Sequence, residues 1–586
     1  MVSRRWFSPL FASAALVVLA CGCSAVLGLG DLRDRDDRSD GSTSGETGPD
    51  ADVNPDAVGA SRASKVDLLF VVDNSASMTD KAEALGRSLD AFLRALGGAV
   101  SDVHVGVIST SLGSMGGDVC GAGAGDAARL STKMLGAPEG TFPGLKDGVL
   151  AYDGTVPSLN ELVGASIALI KGVGQGGCGL EAQLESAYRF LVQPDPWSTI
   201  RVANLVATLD GTDKEVLRQR KAFLRSDSLV LVILLTDEDD SAVDPRSLGG
   251  AGWAYANNAF PGSAVFRPDG KSTTAPRAAS ACASNPGSPE CRSCACAVGD
   301  AACVAAVKAD ADCQINGGYY GPTEDSLNVR FFDMKRRFGV DPQFPIARYV
   351  DGFTKSRVPD RDGEHAMVDG RPGPYVGAPS CGNPLFAGTL PDPDADDLCA
   401  LPAGTRGKEL VVFAVLGGVP PLLASGPSPD WTSILGQNPD AYDRAGIDPH
   451  MIPSIAPRAA LNSDHPPSAT RGDNGTDPVH GREWDTSGDD LQFACTFELP
   501  KMRSCANADP SCDCSASSTK NPPLCGPDVS GEQVRAKGYP SHRELRVAKG
   551  LGARGIVGSV CPSPGSSDYG ATMDRLLRAV QTKLKR

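Results

Sequence analysis

The chain lacks the groupings that chemical turnover needs. Its six histidines are scattered, and no His-Glu-x-x-His pair is present. There is no Gly-x-Ser-x-Gly elbow. Gly270-Lys271-Ser272 lacks the upstream glycine of a phosphate loop. Nothing sets a nucleophile, a base and an orienting group together, so the pattern points away from an enzyme. Positive charge is also short. Lys and Arg number 56 against 71 Asp and Glu, a formal net charge of −15 that argues against nucleic acid as a partner. No basic patch with interleaved aromatics offsets it. Beyond the first twenty residues no apolar run reaches membrane-spanning length. What is present is an ordinary apolar content of 41% over 586 residues, enough for a sizeable core and two to four domains.

The first residues have the layout of a secretory signal. Arg4 and Arg5 precede an apolar run from Leu10 to Ala20, which ends in Val18-Leu19-Ala20-Cys21. That end resembles a bacterial lipobox, which implies cleavage after residue 20, acylation of the Cys21 thiol and attachment to a lipid membrane. Cys23 is a poorer second candidate. Ser3-Arg4-Arg5-Trp6-Phe7 also resembles a twin-arginine signal. Ordinary unfolded export is preferred, because the cysteines downstream need an oxidising compartment before they pair. Gly22 after the cysteine favours sorting to the outer membrane, facing either the periplasm or the exterior. Residues 21–64 are rich in Asp, Arg, Ser, Gly and Pro and hold almost no large apolar side chain beyond the first few positions. Such a segment cannot bury enough surface to offset ordering, so it reads as a disordered acidic tether.

Sixteen of the 18 cysteines lie beyond the leader region, six of them between Cys282 and Cys313 and five between Cys495 and Cys525. In an exported chain an even, clustered set reads as disulfides. The alternative is a zinc knuckle at Cys291-x-x-Cys294-x-Cys296, disfavoured because no histidine lies in that cluster.

Strand and helix signals alternate from Lys65 onward. Val66 to Val72, Val103 to Ser109, Leu229 to Leu235, Leu410 to Leu416 and Ile556 to Val560 are apolar runs of the kind buried on both faces of a parallel sheet. A helix follows the first, with Asp80 as N-cap and Leu85, Leu89, Phe92, Leu93 and Leu96 on one stripe. Another runs from about Leu180, and a last one carries Met573, Leu576, Leu577, Val580 and Leu584. The alternation predicts an α/β fold, a doubly wound, mostly parallel sheet. Residues 242–406 and 421–539 lack sustained periodicity and hold the cysteine clusters. They read as large insertions, or as one satellite module, between sheet strands at 407–420 and 540–586.

The most informative stretch is the end of the first strand. Asp73 closes the apolar run, and Ser75 and Ser77 follow at spacings of two. One carboxylate and two hydroxyls just past a strand end can face one crevice and suit a hard divalent cation, with Mg²⁺ keeping several waters. The strand Leu229 to Leu235 runs into Thr236-Asp237-Glu238-Asp239-Asp240, whose Asp237 can reach the same ion. The Asp-x-Ser-x-Ser segment resembles the core of the von Willebrand factor A (vWA) domain. Residues 65–241 then form the first part of such a domain. Gly177-Cys178-Gly179-Leu180-Glu181 and the ending Ile556 to Cys561 resemble a variant found in bacterial lipoproteins. The resemblance implies a metal site at Asp73, Ser75, Ser77 and Asp237, holding Mg²⁺, or else Mn²⁺ or Ca²⁺. It also implies capture of an acidic side chain on a protein partner. The family's loop threonine is missing: the matching loop is Gly176-Gly177-Cys178, and Cys178 reads as a disulfide partner, with Cys120 as the candidate. Glu238, Asp239 and Asp240 read as solvated acids at a loop start. The bland alternative for the whole motif is a helix cap without metal.

Several short signals carry little weight. Arg471-Gly472-Asp473 and the sequon Asn474-Gly475-Thr476 occur by chance in a chain this long. Asp392, Asp394, Asp396 and Asp397 beside Cys399 read as a solvated acidic turn in preference to a calcium loop.

Overall fold

A computed structural model describes residues 62–585, apart from 122–124, 139–141, 143, 262–273, 297–299, 322–323, 427, 506–510, 517 and 529–530. The signal segment, Cys21 and nearly all of the expected tether lie outside the described residues. Ordered structure begins ahead of Lys65. The Ala63 N–H donates to the Lys583 carbonyl at 2.9 Å, and Ala63 bridges Leu584 near the other end of the chain.

The centre is a mixed seven-stranded sheet covered by helices, an α/β architecture. Its strands are β1 (Val66–Val72), β2 (Val103–Ser109), β3 (Leu145–Lys146), β4 (Val149–Tyr152), β5 (Leu229–Leu235), β6 (Val411–Gly417) and β7 (Gly555–Ser559). They lie in the order β7-β6-β5-β1-β2-β4-β3. The five strands from β7 to β2 are parallel, and β4 and β3 continue the sheet antiparallel. The short hairpin of β3 and β4 is too brief to leave a period-two signal, and it makes the sheet mixed.

Side-chain alternation explains why the central strands are apolar throughout. Leu69, Val71, Val230, Val232 and Leu234 point into one core, and Leu68, Phe70, Leu229, Leu231 and Ile233 into the other. Helices α1 (Thr79–Ala99), α2 (Leu159–Gly172) and α6 (Gly570–Gln581) fill the second core. Helices α3 (Gln183–Leu191), α4 (Lys214–Phe223) and α5 (His542–Gly550) fill the first. The residues of α1 that face the sheet are the expected stripe of Leu85, Leu89, Phe92, Leu93 and Leu96. Asp80 is not its N-cap. A 3₁₀ turn at Ala76–Met78 leads directly into the helix, and Met78 takes the cap position without a side-chain bond. The Asp80 carboxylate instead meets Lys81 at 3.4 Å and Arg503 at 2.7 Å.

The long segments between strands are built into the molecule. The first supplies Phe344, Tyr349 and Phe353 to the core shared with α3 and α5. The second contains an antiparallel hairpin, Cys495–Ser504 with Glu532–Gly538, over a small core of Trp484, Phe493, Leu524 and Tyr539. All sixteen cysteines beyond the leader are paired. Cys282–Cys291, Cys294–Cys313 and Cys296–Cys303 consume the would-be zinc knuckle, so no thiolate is left there for metal. Cys381–Cys399, Cys505–Cys512 and Cys514–Cys525 close short loops, and Cys495–Cys561 ties the hairpin to the end of β7.

Strand β1 lies between β2 and β5. The chain builds the sheet outward on one side of β1, then returns to build it on the other. Neighbouring connections therefore diverge at the carboxyl ends of β1 and β5, and a crevice opens there.

Candidate metal centre at the strand ends

Asp73 follows β1 directly and is almost fully buried. Its Oδ1 accepts from the Ser75 N–H at 2.8 Å, and its Oδ2 accepts from the Thr236 hydroxyl at 2.7 Å. The first bond closes a tight turn that carries Ser75 and Ser77 back over the strand end. Ser75 Oγ and Ser77 Oγ lie 3.3 Å apart, and Ser77 Oγ donates to Asp237 Oδ1 at 3.1 Å. The structure therefore brings Asp73, Ser75, Ser77 and Asp237 together as one chain of oxygens, from two adjacent parallel strands. Asp73 spends one oxygen on a main-chain amide and keeps the other on a hydroxyl, so the motif is more than a helix cap.

Two features lie beyond the expected four residues. Lys81, one turn into α1, is buried in the same place. Its ammonium sits 2.8 Å from Asp237 Oδ2 and donates to the Ser77 carbonyl at 2.8 Å. Burial works against its charge, but Asp237 and Asp80 outweigh burial and hold Lys81 above the usual lysine range. Glu181 is the other feature. It is wholly buried, and neither carboxylate oxygen meets a donor among the described residues, although the Glu238 carboxyl lies within hydrogen-bonding reach if the pair shares a proton. Burial, then the facing carboxylates of Glu238 and Asp73, push its carboxyl well above the usual range. Burial and then Asp237 and Asp73 push Glu238 up to about 8, and burial and then Asp237 push Asp73 up to about 6.

Of the acids after β5, Asp240 is not solvated, contrary to expectation, while Glu238 and Asp239 are half-buried. Asp240 is wholly buried, accepting from the Leu184 N–H at 3.2 Å and pairing with Arg543 at 3.1 Å. Asp239 accepts from the Arg543 N–H at 2.7 Å. Helix α5 and its approach lie over part of the strand end, where the Ser541 hydroxyl donates to the Glu238 carbonyl at 2.9 Å.

The loop that lacks a threonine is fixed differently. Cys178 is bonded to Cys120, with Cα atoms 5.6 Å apart. The Cys178 N–H donates to Ser111 Oγ at 2.9 Å, and that hydroxyl donates to Asn74 Oδ1 at 2.8 Å. The Gly177 N–H donates to the Asn74 carbonyl at 3.0 Å. The added Cβ of any other residue at Gly177 would come within 2.3 Å of Asn74 Oδ1, so only glycine allows this approach. The same anchored turn delivers Glu181 three residues past the disulfide. Sequence pattern assigns Glu181 no ligand role, because the family motif leads the eye to a threonine. The available signal is an acid in an otherwise apolar and small run, Gly179-Leu180-Glu181-Ala182.

The oxygens of Asp73, Ser75, Ser77 and Asp237 lie along the strand ends with the carboxylates of Glu181 and Glu238 facing them, although no three of these carboxylates bring ligand atoms within 4.8 Å of one another. This set carries more negative charge than Lys81 neutralises. Unpartnered buried carboxylate oxygens beside other carboxylates cost free energy unless a proton or a cation joins them. A hard divalent cation fits these donors by charge and by type.

Against these strand-end residues, comparison of the chain with protein-family models, with curated proteins and with solved structures finds no match.

Proposed function

We propose that this protein is a metal-ion-dependent binding module of vWA type, displayed at the bacterial cell envelope on a lipid anchor at Cys21 in the outer membrane. Asp73, Ser75, Ser77 and Asp237 would hold Mg²⁺, with Mn²⁺ or Ca²⁺ as substitutes. Glu181 would stand in for the absent loop threonine. The protein partner would offer an exposed acidic side chain, and no turnover is expected. The observation that carries this reading is the convergence of an acid and two alcohols after β1 with the acid after β5, around unpartnered buried carboxylate oxygens. Support for export comes from the disulfides and the leader. No helix among the described residues is long and apolar enough to cross a membrane, so attachment would rest on the acylated cysteine.

Isothermal titration with Mg²⁺, Mn²⁺ and Ca²⁺ tests the metal. The wild type should bind one ion and Asp73→Ala none. Equal binding by both, or by neither, defeats the reading.

A second reading has its own observation. Lys81 already neutralises Asp237 inside the crevice. On that reading the protein is a structural envelope lipoprotein whose metal site is vestigial, and its melting temperature is the same with and without EDTA.

A further inference from the structure

Three of the six histidines, His450, His465 and His480, come together around Asp477 in a part of the chain far from the strand-end acids. His450 sits in a 3₁₀ turn (Pro449–Met451), and Asp477 and His480 share one tight turn in which Asp477 Oδ1 accepts from the N–H groups of Val479 and His480 at 2.7 and 3.0 Å. His450 Nε2 lies 3.2 Å from Asp477 Oδ2, and His480 Nδ1 lies 3.1 Å from Asp477 Oδ1. His465 Nε2, on the more exposed side, lies 3.4 Å from Asp477 Oδ2. Ligand atoms of His450, Asp477 and His480 all fall within 4.8 Å of one another.

The outer contacts decide which nitrogens are free. His450 Nδ1 is 2.8 Å from Asp448 Oδ1, and His480 Nε2 is 2.8 Å from Glu483 Oε1, itself gripped by Arg458 at 2.7 Å. His465 Nδ1 is 3.4 Å from the Thr476 hydroxyl. A neutral imidazole that gives its proton to the outer carboxylate turns a lone pair inward. The inward nitrogens of His450 and His480 then face the lone pairs of Asp477. His480 Nδ1, in a side chain with no exposure, meets no partner in hydrogen-bonding geometry. Separations of 3.1–3.4 Å between these atoms are long for charge-assisted hydrogen bonds. The ligand atoms of His450, Asp477 and His480 lie within 4.8 Å of one another, near enough to close on one zinc ion at about 2.0–2.1 Å. An imidazole ligand whose second nitrogen is held by a carboxylate is the usual outer-shell arrangement of such sites.

Two further observations agree. Asp448, Asp477 and Glu483 bring three carboxylates to the cluster, and the Arg458 guanidinium pairs with Glu483, at 2.7 Å. The stretch between Cys399 and Cys495 contains no cysteine, and after β6 its described residues form only helical segments of three to five residues.

We propose that His450, His480 and Asp477 bind a zinc-type transition-metal ion, and that this centre staples the cysteine-free loops. The proposal does not rest on the strand-end site. The test uses the full mature chain, stripped with a chelator and titrated with Zn²⁺ against a chromophoric competitor, then with Co²⁺ for the visible absorption of a tetrahedral ion. The wild type and Asp73→Ala should both bind one equivalent and give the tetrahedral cobalt spectrum. Asp477→Asn, which preserves shape, should weaken zinc by more than the ~10–100-fold expected for losing an outer-shell partner. Asp448→Asn, which touches only the outer side of His450, should weaken it within that range. Zinc should raise the melting temperature of the wild type and not that of Asp477→Asn. A wild type that binds no zinc, or an Asp477→Asn chain that binds it equally well, overturns the proposal and leaves a hydrogen-bonded imidazolium–carboxylate cluster.

Discussion

Strand β1 carries a buried aspartate at each end, and the two are treated in opposite ways. Asp67, near its start, is wholly buried and fully matched. Its carboxylate accepts from the Arg225 N–H at 2.8 Å and from Arg225 Nε at 2.7 Å, is bonded by the Ser228 hydroxyl, and has Arg406 at 3.7 Å. Asp73, at the other end of the same strand, is surrounded by further acids, Glu181 and Glu238 among them, answered in part by Lys81 at Asp237 and by the nearby charge of Lys537. Burial is the same at both ends, so the difference lies in the partners. Where arginines answer the charge, the end of the sheet is a lock. Where carboxylates face carboxylates, the fold holds a charge deficit that only a proton or a cation relieves, which marks a candidate site.

The sharpest way to break this contrast is to truncate each aspartate in turn. Asp67→Ala strands Arg225 and Arg406 and should lower stability by about 3–5 kcal/mol in denaturant titration. Metal-free Asp73→Ala should cost far less, since it removes a group that its surroundings disfavour. Comparable losses at both positions would erase the distinction.

A pH series comes next in size. Asp73 is held at about 6 and Glu238 at about 8, both above their ordinary values. For acids raised in this way, the folded chain holds more protons than the unfolded one between about pH 4 and pH 8. Their contribution is therefore most favourable below the unfolded values and is lost as pH rises through the folded ones, by up to about 1.4 kcal/mol per pH unit for each proton. Melting curves of the EDTA-treated chain should show stability falling across that window. Saturating Mg²⁺ should flatten the fall, because the ion replaces the protons. A flat metal-free profile would mean that the carboxylates are already matched.

The smallest effect concerns Glu181 alone. Glu181→Gln supplies a donor to Glu238 and should stabilise the metal-free chain at pH 8 by about 1–3 kcal/mol, with little change at pH 5. The same substitution should weaken Mg²⁺ in calorimetry. Destabilisation at pH 8 would show that Glu181 is satisfied in a way the crevice geometry does not include.

Much of the sheet is legible in the order of residues. Val66 to Val72, Val103 to Ser109 and Leu229 to Leu235 are uninterrupted or nearly uninterrupted apolar runs, and the strands occupy those spans. The β3–β4 hairpin and the helix Leu159–Gly172 were less visible. The hairpin strands are two and four residues long, and the helix announces itself mainly through the capping box of Ser158 and Glu161. Within the site, Asp73, Ser75, Ser77 and Asp237 are legible because strand ends and spacing fix where they stand. Lys81, Glu181 and the burial of Asp240 are not, because they depend on what packs over the crevice. The three histidines are the clearest case. They stand fifteen residues apart in sequence, a spacing with no local meaning, and only loop closure brings them to one carboxylate.

The sequence alone settled what is local: alternating apolar runs that demand a sheet with two covered faces, and an acid with two alcohols placed just after one strand. Tertiary structure decided the electrostatics. Whether a buried carboxylate is locked by arginine, crowded by other acids or ringed by imidazoles depends on residues tens to hundreds of positions away, and low-dielectric burial turns those distant choices into the largest local forces.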